Sequence, residues 1–178
     1  MADIERAATG IPGGAKSVRP IRKIEDALTD EEKAKYEGLL GPPPAPFTAA
    51  AAPQALVVED DPALRTIMVG VLKKWEMEVA GVGSGTEALK TLATRRVDLA
   101  LVDLRLPGHD GFEVIRGARS YLKLREIVLI AVSGLVDPKD ETASLNVGAD
   151  MFYRKPMTME LFEARLKPFV RRLYDKLG

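Results

Sequence analysis

The pattern of apolar and polar residues changes near residue 54, where short apolar runs begin to alternate with amphipathic stretches. The apolar runs are rich in β-branched residues and predict buried strands, whereas the stretches between them repeat apolar residues at helical spacing. The predicted strands cover Ala55–Val58, Glu78–Ala80, Asp98–Val102, Ile127–Val132 and Met151–Tyr153. The first predicted helix begins at Pro62, and the others cover Thr86–Thr94, Phe112–Leu122, Lys139–Asn146 and Met159–Leu177. Pro168 predicts a kink or break in the last helix.

Successive strand–helix units of this kind predict an α/β domain over residues 54–178. The strands are apolar nearly throughout, which is typical of a parallel sheet that is covered by helices on both faces. Crossovers between parallel strands are right-handed. These constraints favour a doubly wound five-stranded parallel sheet with the strand order 2-1-3-4-5.

Residues 1–53 have a different composition and hold seven of the twelve prolines of the chain. The Pro/Ala-rich stretch 42–53 predicts a semi-rigid linker, because proline favours extended geometry. Short helices are predicted before it, one with Ile21, Ile24 and Leu28 on one face. Another starts with a capping box of Thr29 and Glu32 and ends near Leu40. We expect this N-terminal extension to be mobile or to dock on another surface.

The chain has 26 Lys and Arg residues and 26 acidic residues, so its net charge gives no indication of nucleic-acid binding, and we expect no direct nucleic-acid partner although a local basic patch stays open. It has no cysteine, which excludes disulfides and thiolate metal sites. No apolar run approaches the roughly 20 residues that span a bilayer, and no secretory signal is visible. We therefore expect a cytoplasmic protein without membrane insertion.

Polar residues follow the predicted strands at the points where the strands end. Glu59 and Asp60 follow the first strand, Asp103 the third, Ser133 the fourth and Lys155 the fifth. In an open α/β sheet these ends meet at one edge, where ligands bind. Clustered carboxylates repel one another, and a ligand set of oxygen atoms alone favours Mg²⁺. Carboxylate, metal, hydroxyl and ammonium together predict phosphoryl transfer to an aspartate.

Four segments of the chain carry a family resemblance. They are Leu56–Pro62, Leu101–Gly111, Ala131–Gly134 and Arg154–Pro156. In this order they resemble the motifs of the response-regulator receiver domain of two-component signalling, over roughly residues 55–177. The resemblance implies a flavodoxin-like fold, a Mg²⁺ cofactor and a phosphoryl group supplied by a sensor histidine kinase or a phosphotransfer protein.

The same resemblance implies a role for each matching residue. Asp103 is the phosphoacceptor. Asp60 binds Mg²⁺ directly, Glu59 binds it through water, and Arg105 offers it a backbone carbonyl.

Further implied roles concern the switch that follows phosphorylation. Ser133 and Lys155 bind the phosphoryl group, and Phe152 is the aromatic switch residue, which acts by packing because it lacks a hydroxyl. The partner-binding face covers roughly residues 139–175, for a downstream protein target. Arg105 and Leu135 occupy the positions that tune hydrolysis in this family. Because Leu135 cannot hydrogen-bond an attacking water, we expect a long-lived phosphoryl group.

Other candidate residues have simpler interpretations. Asp61, before Pro62, is expected to cap a helix. His109, the only histidine, is expected to be a solvated loop residue, and Trp75 and Met77 are expected to pack. The segment Gly10–Ser17 departs from the phosphate-binding loop motif at Ala15 and follows no strand, so no nucleotide site is predicted.

Two other functions compete with a phosphorylatable switch. One is a phosphorylation-independent interaction module that uses the same fold and the N-terminal extension. The other is a phosphohydrolase of the haloacid dehalogenase type, but Arg105 stands where that family has its general acid. The sequence thus predicts no enzyme beyond self-phosphorylation and self-dephosphorylation at Asp103. We expect a stand-alone receiver, and the residues leave open a homodimer and a relay role.

Overall fold

The computed structural model describes residues 28–42, 52–134 and 137–177. Five strands form one parallel sheet in the order β2-β1-β3-β4-β5. They are β1 (Gln54–Val58), β2 (Glu78–Val82), β3 (Leu99–Asp103), β4 (Val128–Ser133) and β5 (Met151–Arg154). The predicted doubly wound α/β architecture and strand order are confirmed.

Along the part of the chain that the structure describes, one helix precedes β1, four helices lie between successive strands, and the last follows β5. They are α1 (Asp30–Leu40), α2 (Pro62–Lys73), α3 (Gly85–Thr94), α4 (Gly111–Arg116), α5 (Pro138–Asn146) and α6 (Met159–Leu177). A π-helical stretch, Gly117–Tyr121, continues α4 and is called the π turn below. None of the helices in the described ranges is long and apolar enough to cross a membrane.

Successive residues of the strands point to opposite faces of the sheet and build two separate cores. In β1, Leu56 and Val58 contribute to a core shared with α1, α3, α4 and the π turn. Their neighbours Ala55 and Val57 contribute to a second core, shared with α2 and α6. This alternation explains why the strands are apolar throughout, since both faces are covered.

The helix predicted over Asp30–Leu40 is present and has the expected capping box. The Thr29 side chain accepts from the Glu32 N–H at 3.2 Å, and Glu32 Oε2 accepts from the Thr29 N–H at 2.9 Å. The helix docks on the domain through Tyr36, which is 3% exposed. The other predictions for the extension, namely the face with Ile21 and Ile24 and most of the linker, lie outside the described residues.

Two predicted helices differ in detail from the structure. The helix expected over Phe112–Leu122 ends as an α-helix at Arg116 and continues as the π turn. In that turn Arg119 donates to the Gly148 backbone oxygen at 2.9 Å and to Asp150 Oδ2 at 2.6 Å, contacts with a distant part of the chain that no local pattern encodes.

The second difference concerns the kink or break predicted at Pro168 in the last helix, of which the break is absent. The helix α6 runs without interruption through Pro168. Its buried residues before and after the proline, Leu166 and Val170, anchor both halves in the second core. Packing therefore outweighs the backbone hydrogen bond that proline removes.

The second core predicts a contrast between two leucines of α6. Leu166 is fully buried, whereas Leu161 is 43% exposed. We expect Leu166→Ala to lower the free energy of unfolding by about 2–5 kcal/mol, through lost burial and a residual cavity. We expect Leu161→Ala to change it by about 0.5 kcal/mol or less. Urea denaturation of both variants measures the difference, and equal effects would contradict the described packing.

Candidate functional site

The backbone hydrogen bonds of the sheet continue one residue past three of its strands. The Glu59 N–H donates to the Val82 oxygen at 3.1 Å, and the Leu104 N–H donates to the Val132 oxygen at 3.2 Å. The Lys155 N–H donates to the Ser133 oxygen at 2.8 Å. The polar residues at the carboxyl edge of the sheet are therefore held by the sheet itself.

Three carboxylates meet at this edge. Oxygen atoms of Glu59, Asp60 and Asp103 all lie within 4.8 Å of one another. Glu59 is 2% exposed and Asp103 is 7% exposed, whereas Asp60 is exposed to solvent. The cluster predicted from the strand ends is thus present, with one side open to water.

Lys155 lies between the two buried carboxylates. Its Nζ donates to Glu59 Oε2 and to Asp103 Oδ2, each at 2.6 Å. The three side chains connect the ends of β1, β3 and β5. One ammonium group therefore compensates two carboxylates that would otherwise repel each other in a buried place.

Burial and charge shift the pKa values of this group in a consistent way. Burial raises the pKa of Glu59 above 4.5, and the Lys155 hydrogen bond opposes that rise only in part. Burial alone would lower the pKa of Lys155, but the hydrogen bonds to Asp103 and Glu59 outweigh it and raise the pKa. Lys155 therefore stays charged, while Glu59 bears a net cost of burial as a carboxylate.

Asp103 makes a second contact, within its own loop. Its Oδ1 accepts from the Arg105 N–H at 2.9 Å, so both carboxylate oxygens are oriented. The Arg105 residue is exposed, at the rim of the carboxylate cluster. The use of its carbonyl by a metal stays a prediction.

The two predicted switch residues lie on neighbouring strands. Ser133 is fully buried at the end of β4, beside Arg154 of β5 in the sheet register. Phe152 is 9% exposed and packs in the first core. Their roles in switching stay predictions. Leu135, expected to slow hydrolysis, lies outside the described residues.

Asp61 is confirmed as a helix cap. Its Oδ1 accepts from the N–H groups of Ala63 and Leu64 at 2.8 and 2.9 Å, and these hydrogen bonds lower its pKa. The Asp61 side chain thus caps the N-terminus of α2.

His109 is not the solvated residue that was expected. It is half-buried, with Nδ1 at 3.0 Å from Thr86 Oγ1, because the loop before α4 packs on the start of α3. A Cβ atom on Gly85 would lie 1.8 Å from the His109 oxygen, so glycine makes this close approach feasible. The packing expected of the other two residues is present, since Met77 is buried and Trp75 lies against the second core.

Sequence reasoning missed Arg65, which supports the acidic pair. Its Nη1 donates to the backbone carbonyl oxygen of Glu59 at 2.6 Å and to that of Asp60 at 3.3 Å. The signal was available, since Arg65 lies one helical turn after the cap residue Asp61 and can reach back over the loop.

An apolar groove beside Lys155 was also missed. It has a volume of about 240 Å³ and lies between α2 and the segment that joins β5 to α6. Its apolar lining consists of Leu64, Met68, Pro156, Met157, Met159 and Phe162. Three methionines in this lining give it an adaptable surface.

The chemistry of the carboxylate cluster fits a magnesium ion. Mg²⁺ prefers oxygen ligands and usually keeps several waters, so it binds through one or two carboxylates at an open site. Glu59, Asp60 and Asp103 supply such oxygens on a site that is open at Asp60. These residues therefore suit the cofactor that the sequence predicts.

Comparison with known proteins identifies the family. The family model of the response regulator receiver domain matches residues 55–167. The chain therefore belongs to the response-regulator receiver family of two-component signal transduction. The sequence resemblance is confirmed.

Curated relatives support the same assignment. The transcriptional regulatory protein AfsQ1 of Streptomyces coelicolor is 38% identical over 120 residues, 67% of this chain and 52% of that protein. The response regulator protein GraR of Staphylococcus epidermidis is 30% identical over 122 residues, 68% of this chain and 53% of that protein. The chain thus spans about half the length of these relatives.

Solved structures support the fold. A CheY-like receiver domain protein of Methanospirillum hungatei is 27% identical with a TM-score of 0.63, over 70% of this chain and 98% of that chain. The receiver domain of the sensor histidine kinase PA1611 of Pseudomonas aeruginosa is also 27% identical, with a TM-score of 0.59 over 68% and 96%. In that protein a magnesium ion is coordinated in the active-site cleft.

The raised pKa of Glu59 predicts a pH effect on stability. Between pH 4.5 and the higher folded-state pKa, the folded protein binds more protons than the unfolded chain, so stability is lost as the pH rises. Glu59→Gln removes this loss. In metal-free buffer, the stability of the variant relative to wild type is expected to grow with rising pH and then level off.

Urea denaturation across this pH range provides the measurement. Glu126→Gln is the matched control, because the Glu126 side chain is 90% exposed. If the free energies of unfolding of Glu59→Gln and wild type differ by the same amount at every pH, burial does not raise the pKa of Glu59.

Proposed function

We propose that this protein is a phosphorylatable response regulator that accepts a phosphoryl group on Asp103, with Mg²⁺, in the cytoplasm. The donor is a sensor histidine kinase or a phosphotransfer protein. The observation that carries the proposal is the geometry of Asp103, whose carboxylate is oriented by Lys155 and lies within 4.8 Å of two other acidic groups. Family membership supports the same reading.

The chemistry proposed for Asp103 is nucleophilic. A carboxylate oxygen attacks the phosphorus atom, a P–O bond forms, and the bond between phosphorus and the donor atom breaks. The Arg105 N–H and Lys155 Nζ hold the two oxygens, so that little reorganisation is needed before attack. The product is an acyl phosphate on Asp103.

Mg²⁺ would be held by Asp60 and Asp103, with Glu59 acting through water and the Arg105 carbonyl as a further ligand. When bound, it supplies positive charge that offsets the carboxylates and the phosphoryl oxygens. Lys155, whose Nζ donates to Asp103 Oδ2, would supply a second positive charge.

Ser133 and Phe152 are proposed to report the modification. The buried Ser133 hydroxyl, at the end of β4, is placed to reorient toward a phosphoryl group on the neighbouring strand β3. Phe152 packs in the core next to the same strand β4, so its ring can respond to a shift there. We propose that this changes the face formed by α5, β5 and α6, which then binds a downstream protein.

Output through proteins rather than nucleic acid is part of the proposal. The chain carries equal numbers of basic and acidic residues, without the surplus of positive charge that is typical of strongly basic nucleic-acid-binding domains. The relative AfsQ1 is a transcriptional regulatory protein, but this chain spans 52% of it. We therefore propose no DNA contact for the residues described.

Phosphorylation of Asp103 can be measured by intact-protein mass spectrometry after incubation with acetyl phosphate and Mg²⁺. Wild type is expected to gain one phosphoryl group. Asp103→Asn is expected to gain none, because an amide is not a nucleophile at neutral pH. Asp61→Asn is the matched control and is expected to behave as wild type, since asparagine also caps a helix.

Two results would contradict this proposal. The first is a wild-type protein that stays unmodified while its circular dichroism shows an intact fold, which favours the phosphorylation-independent interaction module. The second is a phosphoryl group that persists in Asp103→Asn, which places the acceptor elsewhere.

Mg²⁺ binding is expected to stabilise the folded state by mass action. At one hundred times the dissociation constant the gain is about 2.7 kcal/mol, visible as a rise in Tm. Asp60→Asn is expected to show a much smaller rise, because it removes a charged ligand that is open to solvent. Asp61→Asn is again the control and is expected to respond as wild type. An equal response of all three proteins would place the metal elsewhere.

A further inference from the structure

The helix α1 is attached to the receiver domain by a pair of tyrosines. The ring of Tyr36 stacks on Tyr121 of the π turn, with centroids 5.5 Å apart and planes at 27°. The Tyr36 hydroxyl donates to the Glu113 oxygen at 2.8 Å, and the Tyr121 hydroxyl donates to the Gly41 oxygen at 2.6 Å. Tyr36 of α1 thus hydrogen-bonds to the backbone of α4, and Tyr121 of the π turn hydrogen-bonds to the backbone at the end of α1.

Two ion pairs surround this aromatic contact. Lys35 of α1 pairs with Glu113 of α4, and Glu32 of α1 pairs with Arg116 of α4. In the first pair the basic residue belongs to α1, and in the second pair the acidic residue does. Because a shift of α1 would bring like charges together, the two pairs favour one register of α1 on α4.

Gly117 provides the room for Tyr36. A Cβ atom at this position would lie 2.7 Å from Tyr36 Cε1 and 2.7 Å from Leu89 Cδ2. Any larger residue would push α1 away or disturb α3. The surface of the domain is therefore shaped to accept this aromatic ring.

The residues that bind α1 are directly linked to the phosphoacceptor loop. The Asp110 side chain accepts from the Glu113 N–H at 2.8 Å, at the start of α4. The Gly111 N–H donates to the Leu104 oxygen at 3.1 Å, and a Cβ on Gly111 would lie 2.1 Å from the Asp103 oxygen. Therefore α1 holds α4, and α4 holds the loop that follows Asp103.

Docking of α1 is a modest interaction that can be displaced. Within α1 itself only Tyr36 is buried, and Leu28 just before it is buried as well. The ion pairs are partly exposed, and such pairs contribute little to stability. Elements with few buried contacts open at low free-energy cost, which is where regulation acts.

We infer that Tyr36 is a positioning residue for phosphorylation, and that docking of α1 and phosphorylation of Asp103 favour each other. Both events order the same segment, the acceptor loop and the start of α4. The first event to occur lowers the entropic cost of the second, which gives positive coupling. The inference rests on the proposed phosphorylation of Asp103.

The first test compares rates of phosphorylation by acetyl phosphate with saturating Mg²⁺. Tyr36→Ala is expected to slow phosphorylation about fivefold, because α1 then no longer helps to orient the acceptor loop before attack. Tyr36→Phe keeps the stacked ring and is expected to stay close to wild type. Lys33→Ala, on an exposed position of the same helix, is the matched control and is expected to have no effect.

A charge exchange separates docking from general damage to the fold. Lys35→Glu places two acids together and is expected to slow phosphorylation. The double variant Lys35→Glu/Glu113→Lys restores an ion pair of reversed polarity and is expected to recover most of the rate. Recovery by a second substitution is not expected from a purely destabilising effect.

The reverse direction is tested by hydrogen exchange with beryllofluoride, a mimic of the phosphoryl group. Beryllofluoride with Mg²⁺ is expected to slow amide exchange in residues 30–41 of wild type, far from Asp103 in sequence, because coupling is reciprocal. Asp103→Asn, which does not form the mimic, is expected to show no change there.

The outcomes distinguish the two proposals. If wild type takes up no phosphoryl group, the proposed function itself fails. If wild type is phosphorylated but Tyr36→Ala and Lys35→Glu react at the wild-type rate, α1 is not coupled to the site. Unchanged exchange in residues 30–41 on adding beryllofluoride to wild type would also overturn the inference.

Discussion

The site depends on one buried contact, the ammonium group of Lys155 between the carboxylates of Glu59 and Asp103. Removing one partner from such a group leaves an uncompensated buried charge, which typically costs about 3–5 kcal/mol. The contact also joins β1, β3 and β5, so it ties the sheet together at the edge where we propose that phosphorylation occurs. The same three side chains are therefore a structural tie and the proposed reactive site, so a ligand that draws Lys155 away would affect both.

The parallel sheet explains why this contact can form. Its backbone ladder extends past the strands to the N–H groups of Glu59 and Lys155, which fixes where their side chains start. The repulsion between Glu59 and Asp103 is thus imposed by the fold, and burial keeps the pKa of Glu59 raised despite Lys155. A site strained in this way gains more from a divalent cation than a relaxed surface cluster would, because binding relieves a cost already present in the protein.

The local pattern of apolar and polar residues was sufficient to predict the fold and the members of the carboxylate cluster. The apolar strands defined the order of elements, and Asp103 and Lys155 were found because parallel strands end at a common edge. What sequence could not supply were contacts between distant residues. Arg119, in the π turn where a plain helix was expected, donates to the Gly148 carbonyl and pairs with Asp150, which lie 29 and 31 residues further along the chain. The helix α6 continues through Pro168 and is anchored by buried residues on both sides of the proline. His109 was misjudged for the same reason, since its partner Thr86 lies in another element.

The docked helix α1 shares a hydrophobic core with the receiver domain, although it lies before the residues that the family model matches. The family model begins at residue 55, yet Leu28, Tyr36 and Tyr121 belong to the same continuous core as Phe152, the predicted switch residue. Closely packed protein interiors transmit strain between their side chains. A movement of Phe152 on phosphorylation would therefore have a second physical route to the extension, through the core that both share. We therefore propose that the receiver unit of this protein starts before residue 54 and includes α1 as a working part.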